Sequence, residues 1–153
     1  MELKKNNKII RASSNNLYKK ILGLLIKCGF KSKAQLILDS ALFKISLKLK
    51  CSPKIVLLKL FLKLNTFVEV RKIQLRKRIL LVPFYVSYSR RLFLIAKWTI
   101  LATKLNTQKI PFSNKLESEL LNTLTLKNSK ALSFKTINIS MALKNRSNAH
   151  YRW

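Results

Sequence analysis

Arg76-Lys77-Arg78 is the one run of three consecutive cations in this sequence. It stands between two stretches rich in β-branched and aromatic residues. Val68-Glu69-Val70-Arg71-Lys72-Ile73-Gln74-Leu75 comes before it, and Ile79-Leu80-Leu81-Val82-Pro83-Phe84-Tyr85-Val86 comes after. Such stretches predict two paired strands, a ribbon at about residues 67–87, with a charged tip. Three exposed cations cost little in water and gain when a phosphate backbone neutralises them and releases its counterions. The turn holds neither Gly nor Asn, which disfavours a tight two-residue hairpin and predicts a longer loop around the three cations. A solvated loop with no ligand is the bland alternative.

Other residues carry the same chemistry. Lys31 and Lys33 fall at the start of one predicted helix, and Arg90 and Arg91 at the start of another. Cations there oppose the helix dipole, so their placement points to a nearby phosphate. Lys4, Lys5, Lys8 and Arg11 make residues 1–16 a basic arm, either a frayed terminus or a tail that orders on RNA. The chain ends Asn145-Arg146-Ser147-Asn148-Ala149-His150-Tyr151-Arg152-Trp153. These aromatic and cationic side chains can stack on bases and bind phosphate. Equally, Tyr151 and Trp153 can pin the terminus to the body.

Catalytic chemistry is poorly supplied. There is no glycine-rich phosphate loop, and His150 has no acid close in sequence to orient it. Glu117 and Glu119 form the only close acid pair. Two residues apart on a helix, they point to different sides, and a first-turn position would suit the helix dipole. Cys28 and Cys51 lack C-x-x-C spacing, so they are expected to be buried free thiols rather than zinc ligands. The sequence predicts no enzyme, no cofactor and no metal.

The elements that must position the cations follow from spacing. Leu17, Ile21, Leu24, Leu25 and Cys28 give one helical face, closed by Gly29 as a C-terminal cap. Ser32-Lys33-Ala34-Gln35 has capping-box form and opens a second helix with Ala34, Leu38, Ala41, Ile45 and Leu49 inside. Ser52-Pro53 opens a third, with Val56, Leu57, Leu60, Phe61 and Leu64. After the ribbon, Ser89 caps a helix with Leu92, Ile95, Ala96, Thr99 and Thr103, and with Trp98 as a packing residue. Pro111 and Ser113 start another, with Leu116, Leu120, Leu121 and Leu124. A last one holds Ile137, Met141 and Ala142. The expected fold is mainly α, a single helical domain holding out a two-stranded β-ribbon.

Bulk properties agree. The chain has 153 residues, 48% of them apolar, enough for one core. Thirty-two Lys and Arg stand against five Asp and Glu, a formal charge of +27. A chain so charged repels itself, so its working state is a complex with a polyanion, foremost nucleic acid. Lys, Asn, Ile, Leu and Phe dominate, as A+T-rich codons would specify. No apolar run reaches the roughly 20 residues of a membrane span. The N-terminus has no long apolar core for secretion but is compatible with a mitochondrial presequence.

Two sets of motifs then carry a family resemblance. Val68-Glu69-Val70-Arg71, Val82-Pro83, Arg90-Arg91 and Lys97-Trp98 follow one another without gaps, and the terminus reads Met141-Ala142, Asn145-Arg146 and Ala149-His150-Tyr151-Arg152-Trp153. Over roughly residues 17–153 the chain resembles the universal small-subunit ribosomal protein seven family. The resemblance implies a domain of about six helices with a protruding ribbon. It also implies binding to the 3′ major, or head, domain of small-subunit rRNA, support of head assembly, and a place beside mRNA and exit-site tRNA, with ribosomal protein eleven as a neighbour. Lys4, Lys5, Lys8, Arg11, Lys31, Lys33, Arg71, Lys72, Arg90, Arg91 and Lys97 would then face rRNA. Arg76, Lys77 and Arg78 would lie near tRNA and mRNA. Asn145, Arg146, His150, Tyr151, Arg152 and Trp153 would contact RNA or partner proteins.

The sequence also departs from the family. Cations replace the two glycines of the family hairpin. The charged segment before the last helix is here Ser133-Phe134-Lys135-Thr136-Ile137-Asn138-Ile139-Ser140. Such drift, with the coding bias, suggests a mitochondrial version, ahead of a plastid one or one from a bacterial cytoplasm. The competing readings are a stand-alone helix-turn-helix DNA-binding protein and a cationic membrane-surface protein. The first would need base-reading side chains at a helix start, and the second one long amphipathic helix.

Overall fold

A computed structural model describes the backbone of residues 2–151 and the side chains of residues 14–151. The elements run α1 (Glu2–Leu25), α2 (Lys31–Leu49), α3 (Pro53–Leu64), β1 (Val68–Leu75), β2 (Arg78–Tyr85), α4 (Tyr88–Lys104), α5 (Phe112–Thr125) and α6 (Lys130–Lys144). A short 3₁₀ helix, Arg146–Tyr151, follows. Among the described residues, six α-helices and one antiparallel hairpin make the mainly α fold that the periodicity predicts.

The apolar stripes of α1 to α5 meet in one core, whereas Leu24 of α1 and Ile137 and Met141 of α6 are exposed. Leu17 and Ile21 of α1, Leu38 and Ile45 of α2, and Leu60 and Leu64 of α3 are essentially without exposure. So are Ile95 of α4 and Leu116 and Leu120 of α5. α4 is the central element and packs against α1, α5 and α6. Its two predicted core threonines are fully buried. Each hydroxyl donates back along the helix, Thr99 to the Ala96 carbonyl (2.9 Å) and Thr103 to that of Thr99 (2.7 Å), so neither is orphaned. A smaller cluster of Val86, Leu94 and Trp98, backed by Phe134, lies where the ribbon leaves the body. Trp98 is thus a packing residue.

Polar groups tie the helix ends together. Lys63 donates to the Leu124 carbonyl near the end of α5, and Lys135 to the Lys63 carbonyl near the end of α3 (both 2.5 Å). Lysines are favoured at such ends, where the last carbonyls lack intrahelical partners. Burial holds the Lys135 ammonium below its ordinary pKa.

Several local expectations are corrected. The hairpin turn has two residues, Arg76 and Lys77, because Leu75 pairs directly with Arg78. Arg76 supplies the missing glycine's conformation with φ +52°. α2 begins at Lys31 and has Phe30 at its N-cap, so Ser32 lies inside the first turn and no capping box forms. α4 is preceded by Ser87, not Ser89. Gly29 sits at φ +78° in the α1–α2 loop, four residues beyond the end of α1, and does not cap that helix. α1 starts at Glu2, upstream of its first core residue. Cys28 is exposed and Cys51 half-buried, with the Lys59 ammonium 3.7 Å from its sulfur; neither is the buried thiol expected.

Glu117 and Glu119 lie beyond the first turn of α5. Both are buried, and each has a partner outside its own helix. Glu117 pairs with Lys48 (2.6 Å). Glu119 Oε1 accepts from the Ser129 hydroxyl (2.8 Å) and the Ala131 amide (3.0 Å). The Ser129 hydroxyl in turn accepts from the Leu132 amide (3.2 Å). Two side chains, one from α5 and one at the N-cap, therefore satisfy two of the orphan amides of α6.

Candidate nucleic-acid interface

The ribbon carries cations on both faces and at its tip. Its register runs from Val68 opposite Tyr85 to Leu75 opposite Arg78. Strand alternation puts Glu69, Arg71, Ile73, Val82 and Phe84 on one face, and Val70, Lys72, Gln74, Leu81 and Pro83 on the other. Arg71 and Lys72 therefore serve opposite faces. Arg76, Lys77 and Arg78 are carried at the tip.

At the ribbon's root the predicted cations divide by role. Glu69 accepts from Arg90 Nη2 (2.6 Å) and Nε (3.0 Å), and lies 3.7 Å from Arg71. The Arg90 hydrogen bond holds the Glu69 carboxyl below the usual glutamate range against the opposing effect of burial. The charges of Arg90, Arg71 and Lys97 add to it. Arg90, raised in turn chiefly by that hydrogen bond, is thus a clamp between β1 and α4. Arg71 also lies over Phe84, with its guanidinium carbon 5.2 Å from the ring centre. Arg91 lies against Phe67 (4.9 Å) and Tyr88 (5.8 Å). Lys97 is exposed on α4.

Lys31 and Lys33 are not part of this group. α4 has 17 residues, a rise of about 25 Å. Its N-terminal end carries Arg90 and Arg91. Its C-terminal end meets the start of α2, where Lys27, Lys33, Lys104 and Lys115 surround an apolar groove of about 630 Å³. Lys33 sits 4.7 Å from the centre of the Phe30 ring. The structure therefore separates two basic regions that the sequence offers as a single set.

The C-terminal segment packs along β2. Asn148 donates to the Leu81 carbonyl (3.1 Å), and Asn138 of α6 donates to that of Val68 (2.7 Å). These two amides hold both strands to the body, and nothing in the sequence singled them out. Asn145 caps α6, with its side chain on the Met141 carbonyl (2.9 Å). Arg146 is exposed. His150 is exposed, its Nδ1 lies 2.7 Å from the Ser147 carbonyl, and its ring is 4.0 Å from that of half-buried Tyr151. Arg152 and Trp153 lie outside the described residues, as do the side chains of Lys4, Lys5, Lys8 and Arg11, whose backbone belongs to α1.

Among the described residues no group of three or more His, Cys, Asp or Glu side chains could hold a metal ion. No helix among them is long and apolar enough to cross a membrane. Each described carboxylate is engaged within the fold. Asp39 accepts from Tyr18 (2.8 Å), and burial together with this bond pushes the phenol up to about 12. Glu69, Glu117 and Glu119 are held as described above.

A family model described as Ribosomal protein S7p/S5e matches residues 2–146. The chain is similar to the small ribosomal subunit protein uS7m of Reclinomonas americana, 29% identical over 153 residues, spanning 98% of this chain and 94% of the relative. It is similar to uS7 of Buchnera aphidicola subsp. Cinara cedri, 30% identical over 140 residues, or 92% and 88% of the two chains. It is also similar to uS7 of Rhodobacter capsulatus, 31% identical over 134 residues, or 88% and 85%.

Proposed function

The chain belongs to the ribosomal protein S7p/S5e family, and we propose from that premise that it is a structural constituent of the small ribosomal subunit that binds small-subunit rRNA. The observation that carries this is the commitment of every described carboxylate to contacts within the fold. Among the described residues, the cations at the ribbon tip and at both ends of α4 have no acidic partner, except Arg90 with Glu69, which Arg71 approaches. Such a surface is built for phosphate. The role is architectural, not catalytic.

In the finer reading, the arm at residues 1–16 and Lys31, Lys33, Arg71, Lys72, Arg91 and Lys97 meet the head domain of rRNA and support its assembly. The ribbon tip and the C-terminal segment lie beside mRNA and exit-site tRNA, with ribosomal protein eleven as a neighbour. A mitochondrial ribosome is the proposed home, supported by the likeness to uS7m and by the coding bias; the uS7 relatives support a bacterial one as the alternative. The helix-turn-helix reading gains nothing from the geometry. The candidate reading helix, the one predicted from Ser32, is α2, and its start exposes only lysines, Ser32 and Gln35, which offer little to a base edge.

Sedimentation of the tagged chain before and after a high-salt wash tests the proposal. Retention with the small subunit after the wash is expected. Migration as a free protein would overturn it.

A further inference from the structure

Phe67 immediately precedes β1, and Tyr88 is the first residue of α4. Two backbone bonds fix them. The Val86 amide donates to the Phe67 carbonyl (2.9 Å) and closes the ribbon's root. The Arg91 amide donates to the Ser87 carbonyl (3.0 Å) and sets the first turn of α4. Arg91 projects from that turn with its guanidinium carbon 4.9 Å from one ring centre and 5.8 Å from the other. Phe61 backs Tyr88 at 6.0 Å with the rings tilted by 59°.

Three features distinguish this cluster from ordinary packing. Phe67 and Tyr88 remain 56% and 41% exposed, although burying them would have served the fold. Arg91 Nε is buried without a hydrogen-bond partner among the described residues. Arg91 pairs with no described carboxylate, because the nearest acid along the ribbon, Glu69, is taken by Arg90. The result is a cation held against aromatic faces, with its Nη groups left for a ligand. A carboxylate alone would use the cation but not the faces. A nucleotide uses both, through base stacking and phosphate pairing.

We propose that Phe67, Tyr88 and Arg91 form a stacking site for one unpaired RNA nucleotide, with the base on an exposed ring and the phosphate on the guanidinium. This rests on the ribosomal reading and adds a specific subsite to it. Duplex RNA cannot use the site, because its bases are already stacked.

The test uses the full chain, a labelled oligouridylate of roughly 12 nucleotides and an RNA duplex of mixed sequence. In the Phe67→Leu, Tyr88→Leu double variant, oligouridylate affinity should fall about tenfold, the size of one base–aromatic stack. Duplex affinity and the salt slope should stay unchanged. Phe67→Tyr should bind like the parent. Should the double variant fail to fold, Phe67→Leu alone, at the more exposed ring, carries the same expectation. No loss, or an equal loss on duplex, overturns the subsite. Co-sedimentation of the parent chain with the small subunit reports separately on the ribosomal reading, so the two can fail independently. A photoreactive benzoylphenylalanine at position 67 then distinguishes the sources. An adduct in bare small subunits assigns the nucleotide to rRNA, and one that requires added tRNA or mRNA assigns it there. Absence of any RNA adduct, or an adduct with protein only, overturns the proposal.

Discussion

Glu69 shows how one residue changes the meaning of its neighbours. In sequence, Arg71, Arg90 and Arg91 look equivalent. In the structure a half-buried carboxylate claims Arg90 with two charge-assisted hydrogen bonds and leaves Arg91 to the aromatic rings. The Arg90 side chain is 41% exposed, so solvent screening limits the pair to about 1 kcal/mol. The folded-state pKa of Glu69 is lowered. Its contribution is therefore fully present above the unfolded value of about 4.3 and is lost as pH falls through the lower folded value. Glu69→Gln should melt lower than the parent at neutral pH, and the difference should close as the medium is acidified below pH ~4. Melting followed by circular dichroism across that range checks this. A gap that persists at the acid end would mean that the pair's charge is not what matters. Glu119 has a comparable lesson in its hydrogen bonds. Its reach to α6 is invisible in a spacing pattern, because the partners, Ser129 and Ala131, lie across a turn.

At the scale of elements, the ribbon was legible and its turn was not. β-Branched and aromatic content on either side of three cations locates both strands to within a residue, because such side chains suit a pleated surface. The turn depended on whether a cation would accept a left-handed φ. Arg76 does so at +52°, a conformation that costs a non-glycine residue about 1 kcal/mol. The strand pairing outweighs that cost. Replacing the tip as Arg76→Gly, Lys77→Ser and Arg78→Ser should therefore leave melting unchanged or slightly higher. On RNA, the log–log salt slope should flatten by about 0.7–0.9 for each phosphate that the variant no longer neutralises. An unchanged slope would remove the tip from the interface. The strands' attachment to the body was not legible. Asn138 and Asn148 each bond a single strand carbonyl from far along the chain, and an asparagine in a polar stretch carries no signal of that.

For the whole molecule, charge is the governing term. The carboxylates whose side chains are described are all engaged by partners, and the surplus cations include those of the ribbon and of the two ends of α4. Self-repulsion should make the free chain less stable than the bound one. Single-stranded RNA at about 100 times Kd should add about 2.7 kcal/mol, a rise in Tm of roughly 5–10 °C for a chain of this size. Added salt without RNA should raise Tm as well, by screening. A Tm indifferent to both would mean that the cations are already neutralised within the fold.

The amino-acid sequence is enough for what depends on local periodicity and on sums. It set the helical stripes, the ribbon, the core leucines and Trp98, the excess of positive charge and, through the ordered Val68–Arg71, Arg90–Arg91 and terminal motifs, the family. These follow from nearest-neighbour geometry along one chain or from composition, and need no knowledge of what faces what. Which described cations are paired and which are not was settled by the folded chain. It placed Lys33 beside Lys104 and Lys115 at one end of α4 and Arg91 between two rings at the other, and it gave Glu69 to Arg90. The physical reason is that a charge's role is fixed by the groups within a few ångströms of it. Those groups come from elements that are distant in sequence.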